Sequence, residues 1–168
     1  MAIVSSAAAG LRSASRATIL QLRAPHLTAA QVEAEATELI GSSPVPVVIS
    51  SRVDLAVACD AAGVHLPERD IATSEARKLI GKRLVGRSIH SFDGAADAES
   101  DGADYVIYGP VWPSASHPGI APVGVDALAK VARSVRIPVL AIGGVTPERI
   151  AECHNAGAAG YAAIGMFE

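Results

Sequence analysis

Aromatic residues, cysteines and long apolar runs are all scarce in this sequence. Aromatic side chains make up only 4% of its 168 residues, so the core has to be built mainly from small and branched aliphatic side chains. The two cysteines, Cys59 and Cys153, lie far apart and lack the spacing of a metal site. No apolar run approaches the roughly 20 residues of a transmembrane helix. The sequence therefore predicts two free thiols and no membrane-spanning segment.

An excess of positive charge is also missing. The formal net charge is −3, which gives no electrostatic basis for binding nucleic acid or an anionic membrane. The N-terminal segment has no basic region in front of a long apolar core, so it does not resemble a signal peptide. We therefore expect a cytoplasmic protein whose partners are neither nucleic acid nor membrane.

Half of the residues are hydrophobic, and they form short apolar runs that alternate with helix-like segments. Strands are predicted over residues 1–5, 17–23, 45–50, 63–66, 83–90, 104–108, 137–142 and 160–164, and helices over 7–15, 28–40, 52–60, 73–80, 92–101, 124–134 and 146–155. Thr28 and Thr73 are the predicted caps of the second and fourth helices. This alternation is typical of parallel β/α units. Eight repeats in a single domain, residues 1–168, favour a (β/α)8 TIM barrel over an open doubly wound sheet.

The pattern stops after the eighth strand, so a final outer helix is not predicted. Either the barrel is truncated or a partner closes its outer layer. An uncovered last strand would leave apolar surface, and this favours self-association into a homo-oligomer.

The most informative stretch is the end of the seventh strand. The apolar run reaches Ile142 and is followed by Gly143-Gly144, and Thr146, Pro147 and Glu148 then resemble a helix start. Two glycines let backbone amides approach an anion closely, although the same turn also occurs without a ligand. Because barrels of this type commonly hold phosphate after strands seven and eight, we interpret this turn as part of a phosphate site.

Polar groups gather at the other strand ends too. In a barrel these ends form one face, where the chemistry is found. Hydroxyls, arginines, histidines and glycine turns at that face suit a small anionic, phosphorylated molecule. The candidates include Gln21, Arg23, Ser50, Ser88, Ser114, Ser116, His117, Ile164 and Gly165.

Several segments resemble the thiamine phosphate synthase/TenI family in their order and spacing. They are Gln21-Leu-Arg23, Arg52-Val-Asp-Leu-Ala56, Gly63-Val-His-Leu66, Gly86-Arg-Ser-Ile-His90, Gly109-Pro-Val-Trp-Pro113 and Ile137-Pro-Val-Leu-Ala-Ile-Gly-Gly144. The resemblance implies a barrel that acts in thiamine biosynthesis. Synthases of this family join an aminopyrimidine diphosphate to a thiazole phosphate, with release of pyrophosphate and help from Mg²⁺. TenI-like members bind or tautomerise the thiazole phosphate.

The resemblance also implies roles for matching residues. Arg23 would offset the charge of the diphosphate, and Ser88 would lie near it. Asp70 matches a magnesium carboxylate. Contacts with substrate are implied for Gln21, Ser114, Ser116, Gly144, Ile164 and Gly165.

Three departures from the synthase pattern concern the diphosphate. Pro25 and His117 stand where the synthases have lysines, and Ser50-Ser51 replaces an Asn-Asp pair whose aspartate binds magnesium. A diphosphate leaving group needs cations in the transition state. The resemblance therefore implies a possible but weakened Mg²⁺ site.

Three functions remain open at this point. The first is a thiazole-phosphate-binding protein that can also perform the synthase coupling. The second is a TenI-like tautomerase in which His117 carries the proton, because Pro110 occupies the position of the TenI histidine. The third is a non-catalytic or regulatory protein that binds a phosphorylated ligand. His65 and His90 are interpreted as structural residues, each hydrogen-bonded to a nearby backbone carbonyl.

Overall fold

The computed structural model describes residues 1–114 and 119–167. Eight parallel strands follow one another around the sheet in chain order. A parallel bridge between Ala2 and Ala163 joins the last strand to the first, and Ile3 N donates to Ala163 O at 2.9 Å. The predicted (β/α)8 barrel is confirmed.

The strands are β1 (Ala2–Val4), β2 (Leu20–Leu22), β3 (Val47–Ser50), β4 (Gly63–Leu66), β5 (Leu84–Ile89), β6 (Tyr105–Tyr108), β7 (Val139–Ile142) and β8 (Gly160–Ala162). The helices are α1 (Ala7–Ser13), α2 (Ala29–Ser42), α3 (Val53–Ala58), α4 (Thr73–Ile80), α5 (Phe92–Ser100), α6 (Val125–Ser134) and α7 (Ile150–Asn155). Most predicted elements are present but shorter than predicted, whereas α2 extends two residues beyond its predicted end.

Two predicted helix starts differ from the structure. Thr73 is the first residue of α4 and not its cap, since Ala72 holds the cap position without a side-chain hydrogen bond. Pro147–Arg149 forms a 3₁₀ turn before α7. The predicted cap of α2 is confirmed, because Thr28 and Gln31 form a reciprocal capping box.

The barrel interior is a small apolar core with polar residues above it. Inward-facing apolar residues fill the lower part, namely Met1, Ile3, Val48, Tyr105, Ile107 and Ala162. Two larger clusters pack the helices against the outside of the sheet. Both cysteines are free, as predicted. No helix among the described residues is long and apolar enough to cross a membrane.

The segment after β8 packs back onto the barrel. In the described part of the chain no helix follows β8, but Phe167 is only 5% exposed and its ring lies 5.8 Å from that of Tyr161. The large exposed apolar residues are scattered over different elements, namely Val57, Ile71, Leu79, Phe92, Ile120 and Ile164. Self-association stays a prediction.

Candidate functional site

Two neighbouring cavities open at the carboxyl ends of the strands. The first, the mouth cavity, has a volume of about 230 Å³ and is lined by residues that include Gln21, Arg23, Ser50, His65, Ser88 and His90. The second, the turn cavity, has a volume of about 220 Å³ and is lined by the segments after β7 and β8 together with Ser114. Ile142, Gly143 and Ile164 border both cavities. One elongated ligand can therefore extend from one cavity into the other.

The turn cavity is shaped by the two glycines after β7. Gly143 and Gly144 have φ angles of 89° and 64°, which favour glycine strongly over residues with a side chain. A Cβ on Gly143 would lie 2.5 Å from Pro110 Cβ, and one on Gly144 would lie 2.7 Å from Trp112 Cβ. The two glycines therefore allow the turn to pack closely on the loop after β6. This packing requirement exists whether or not the turn also contacts a ligand.

The amides at this turn are available to a ligand. The N–H groups of Gly143, Gly144 and Gly165 donate to no other residue in the described ranges. The opposite side of the turn is held in place, because Arg149 Nη1 donates to Gly144 O at 2.7 Å. Free backbone donors at a rigid glycine turn are well suited to bind phosphate oxygens.

In the mouth cavity, Gln21 carries an acceptor atom without a partner. Its side chain is 2% exposed, and Oε1 is buried with no hydrogen-bond partner. A buried polar atom without a partner costs free energy unless a water or a ligand satisfies it. Because Gln21 lines the cavity, Oε1 is placed to accept a hydrogen bond from a ligand N–H or O–H group.

Ser88 is tied to two buried side chains below it. His65 Nε2 lies 2.8 Å from Ser88 Oγ, and His65 Nδ1 lies 3.3 Å from the hydroxyl of Tyr105. Burial, together with the positive charge of Arg87, lowers the pKa of His65 to about 3, and burial raises the pKa of Tyr105. His65 is structural, as predicted, but its partners are side chains and not a backbone carbonyl.

Arg23 is the arginine that lines the mouth cavity. It is exposed, and none of the ion pairs between described residues includes it. Ser50 lines the same cavity. Arg23 therefore presents a free positive charge to a ligand.

Two other arginines at the strand ends are already engaged. Arg52 forms an ion pair with Asp54 at 2.5 Å, and the hydrogen bond between them lowers the pKa of Asp54. Arg87 donates to the carbonyl oxygens of Glu68 and Ile71, each at 2.6 Å. Both arginines organise loops and do not face the mouth cavity with free donors.

The residues present do not fit the magnesium ion that the family resemblance implies. Asp70 lines neither cavity, and its Oδ1 accepts a hydrogen bond from Ile71 N at 2.8 Å. The carboxylate residue that lines the mouth cavity is Glu68. In the described ranges no group of three or more His, Cys, Asp and Glu residues could hold a metal. Asp70 as a magnesium ligand stays a prediction.

Of the remaining predicted site residues, Ser114, Gly144 and Gly165 line the turn cavity. Ser116 and His117 lie outside the described residues. Thus the predicted residues that the structure describes meet around two adjacent cavities, with the exception of Asp70.

His90 lines the mouth cavity, although it was predicted to be only a structural residue. Its Nδ1 lies 2.5 Å from Gly109 O, so the predicted bond to a backbone carbonyl is confirmed. A carbonyl only accepts, and therefore Nδ1 carries the proton and the neutral ring has its lone pair on Nε2. The exposed ring is thereby prepared to accept a proton. The resemblance places the TenI histidine at the position of Pro110, next to Gly109. This was the sequence signal that could have pointed to His90, which contacts Gly109.

Comparison with known sequences shows which family the chain resembles. A family model described as thiamine monophosphate synthase matches residues 2–167. The thiamine-phosphate synthase of Chloroflexus aurantiacus is 40% identical over 152 residues, which cover 88% of this chain and 70% of that protein. The putative thiamine-phosphate synthase 2 of Aquifex aeolicus is 42% identical over 119 residues, 71% of this chain and 64% of that protein.

Solved structures show the same architecture. The thiamine phosphate pyrophosphorylase from Pyrococcus furiosus superposes with a TM-score of 0.87 at 26% identity, covering 97% of this chain and 84% of that one. A 3-hexulose-6-phosphate synthase superposes with a TM-score of 0.73 at 19% identity, covering 98% of this chain and 89% of that one. At that identity the second match shows the fold alone.

Proposed function

The chain belongs to the thiamine monophosphate synthase family, and we propose that it binds a thiazole phosphate at the carboxyl end of its barrel. The phosphate occupies the turn cavity and the thiazole ring extends into the mouth cavity. The chain spans 64% of the Aquifex aeolicus relative, so the reaction it performs is part of the proposal.

One observation carries this proposal. The free amides of Gly143, Gly144 and Gly165 surround a cavity that shares a wall with a second, ring-sized cavity. Backbone donors satisfy phosphate oxygens without a side-chain charge. The shared wall then directs the rest of the ligand toward Gln21 and Ser88.

The first candidate reaction is the coupling that gives the relatives their name. The bond from the methylene carbon of an aminopyrimidine diphosphate to the diphosphate oxygen breaks, and its electron pair leaves with pyrophosphate. The thiazole nitrogen then attacks the pyrimidine methylene cation that this leaves. Arg23 offsets the developing negative charge, and Ser88 donates a hydrogen bond to it. Gln21 Oε1 accepts from the amino group of the pyrimidine. No step is assigned to magnesium, because the described residues do not form its site.

The second candidate reaction is tautomerisation of the thiazole phosphate, and the geometry of His90 favours it. His90 Nδ1 keeps its proton and donates it in a hydrogen bond to Gly109 O. The lone pair on Nε2 can therefore take a proton from one position of the ligand, and Nε2 can return it at another. His117, the predicted proton carrier, remains an alternative on the same face.

One set of assays separates these possibilities. Titration calorimetry with thiazole phosphate tests binding alone, and failure to bind would overturn the proposal. Incubation with both substrates, with and without Mg²⁺, tests coupling through the appearance of thiamine phosphate. Proton exchange on the thiazole, compared in His90→Gln and His117→Gln variants, tests tautomerisation. Binding without product or exchange would leave a ligand-binding role only.

The small phosphorylated substrates favour a cytoplasmic location for the protein. They also leave no role for nucleic acid, in line with the net charge of −3. A self-associated state is checked by light scattering, where a monomer at high protein concentration would contradict it.

A further inference from the structure

A line of three polar side chains crosses the barrel interior and reaches the mouth cavity, which both His65 and Ser88 line. It runs from Tyr105 on β6 through His65 on β4 to Ser88 on β5, with contacts of 3.3 Å and 2.8 Å. Tyr105 and His65 are 7% and 3% exposed. Ser88 is at the upper end, where it lines the cavity. The line therefore links the buried core to a group that a ligand can touch.

The barrel makes room for this line at one position. A Cβ on Gly86 would lie 2.1 Å from Tyr105 Cζ and 2.4 Å from its hydroxyl oxygen. Gly86 pairs with Tyr105 in the β5–β6 register and with His65 in the β4–β5 register. The phenol can occupy its site only because the residue beside it has no side chain.

The phenol proton decides the direction of the hydrogen bonds. A tyrosine hydroxyl both donates and accepts, but its proton needs an acceptor when it is buried. Within the described part of the chain the partner of Tyr105 is His65 Nδ1. If Nδ1 carried the proton, the phenol proton would have no acceptor there. Tyr105 therefore donates to Nδ1, and the neutral ring carries its proton on Nε2.

The position of the His65 proton determines the role of the Ser88 hydroxyl in their hydrogen bond. Nε2–H donates to Ser88 Oγ, so the Ser88 proton is not used by His65. Ser88 has no second partner among the side-chain contacts of the described residues. Its proton is free to be donated into the mouth cavity.

We propose that Tyr105 and His65 are positioning residues that hold Ser88 as a hydrogen-bond donor toward the acceptor oxygens of a substrate diphosphate. Gln21, whose Oε1 is an acceptor, lines the same cavity, so the mouth cavity suits a ligand that offers both an N–H group and an anionic oxygen. The identity of the ligand in this inference rests on the coupling reaction proposed above. The proton positions rest only on the contacts of His65.

A different role for the pair is excluded by its environment. Serine and histidine in contact resemble a nucleophile with its general base, which must accept a proton during the reaction. In the tautomer assigned above, Nε2 carries a proton and presents no lone pair to Ser88, and His65 belongs to none of the ion pairs between described residues. Burial lowers the pKa of His65 to about 3, which agrees with a neutral ring, so Ser88 acts as a donor and not as a nucleophile.

The proton positions are tested directly by nitrogen-15 NMR of the histidine side chains at neutral pH. For His65 we expect the protonated type of nitrogen at Nε2 and the unprotonated type at Nδ1, and a mixture of tautomers in Tyr105→Phe. A wild-type ring that carries its proton on Nδ1 would overturn the proposal. This measurement needs no ligand, so its outcome is independent of the proposed coupling.

The effect on the ligand is tested by a double-mutant cycle with aminopyrimidine diphosphate. Tyr105→Phe should weaken binding about tenfold in the wild-type background and less than twofold in a Ser88→Ala background, because the two groups act through one hydrogen bond. Equal effects in both backgrounds would contradict the proposal. If the wild type does not bind this compound, the proposed coupling reaction is overturned. The positioning role of Tyr105 and His65 is then decided by the NMR measurement alone.

Two variants control for general disruption of the core. Tyr108→Phe makes the same change at a buried tyrosine of the same strand and should leave affinity unchanged. His65→Gln keeps an N–H group that can reach Ser88 and should retain most of the affinity, whereas His65→Leu should lose it. Equal losses in His65→Gln and His65→Leu would also contradict the proposal.

Discussion

Arg149 donates a hydrogen bond from Nη1 to the carbonyl oxygen of Gly144, 2.7 Å away, while its guanidinium lies 5.1 Å from the centre of the Trp112 ring. One side chain thus connects the turn after β7 to the loop after β6. Arg149 therefore holds the carbonyl side of a turn whose two glycines line the turn cavity.

Replacing Arg149 by methionine should loosen this turn. The apolar stem is kept, while the hydrogen bond to Gly144 and the cation–π contact with Trp112 are lost. We expect thiazole phosphate to bind about 3- to 10-fold more weakly, the equivalent of roughly one hydrogen bond. Calorimetry checks this, with Lys130→Met at an exposed position of α6 as the matched control. Unchanged affinity in Arg149→Met would show that the turn needs no support.

Gly144→Ala should damage the turn itself. The residue has a φ of 64°, and an added Cβ would lie 2.6 Å from Pro113 O. We expect loss of thiazole-phosphate binding and a fall of about 1–3 kcal/mol in the free energy of unfolding, measured with denaturant. Gly41→Ala is the control, since Gly41 lies within α2 with open space around it. There alanine should raise stability slightly.

Arg23 and Arg52 provide a matched pair for the diphosphate side of the site. Arg23 lines the mouth cavity and has no ion pair with another described residue, whereas Arg52 is held by Asp54. Arg23→Gln should weaken binding of aminopyrimidine diphosphate at least 10-fold, in proportion to the loss of a charge-assisted contact. Arg52→Gln should change it less than 2-fold. An equal effect of both substitutions would mean that the diphosphate reaches both arginines.

His65 should make the stability of the protein depend on pH in the acid range. Its pKa is lowered from 6.5 to about 3 in the folded protein, so between these values the unfolded chain binds one more proton. The free energy of unfolding should therefore fall by about 1.4 kcal/mol for each pH unit as the pH decreases through this window, beyond the contribution of other groups.

The control for that prediction is His65→Gln, which has no titratable group. Denaturant unfolding of both proteins at several pH values between 3 and 7 gives the difference in slope. Parallel pH profiles for wild type and variant would contradict the lowered pKa and the buried, neutral state of the ring.

The fold followed from the sequence because it depends on local patterns. Each apolar run and each helix cap is encoded within about ten residues, as the capping box of Thr28 and Gln31 illustrates. The glycine turn after β7 was predicted for the same reason, since Gly143 and Gly144 directly follow their strand.

The arrangement of the mouth cavity did not follow, because its contacts join distant segments. His65 meets Ser88 and Tyr105 across 23 and 40 residues of sequence, and His90 meets Gly109 across 19. The engagement of Arg87 with the carbonyl oxygens of Glu68 and Ile71 has the same origin. Sequence spacing alone cannot show which arginine keeps a free charge.

The most direct test of the central claim is a titration of the nitrogen-15-labelled protein with thiazole phosphate, followed by amide NMR. We predict that the largest and saturable shifts belong to the amides of Gly143, Gly144 and Gly165, and that inorganic phosphate moves the same signals. A titration in which these three signals stay in place, while the ligand binds elsewhere or not at all, would contradict the account.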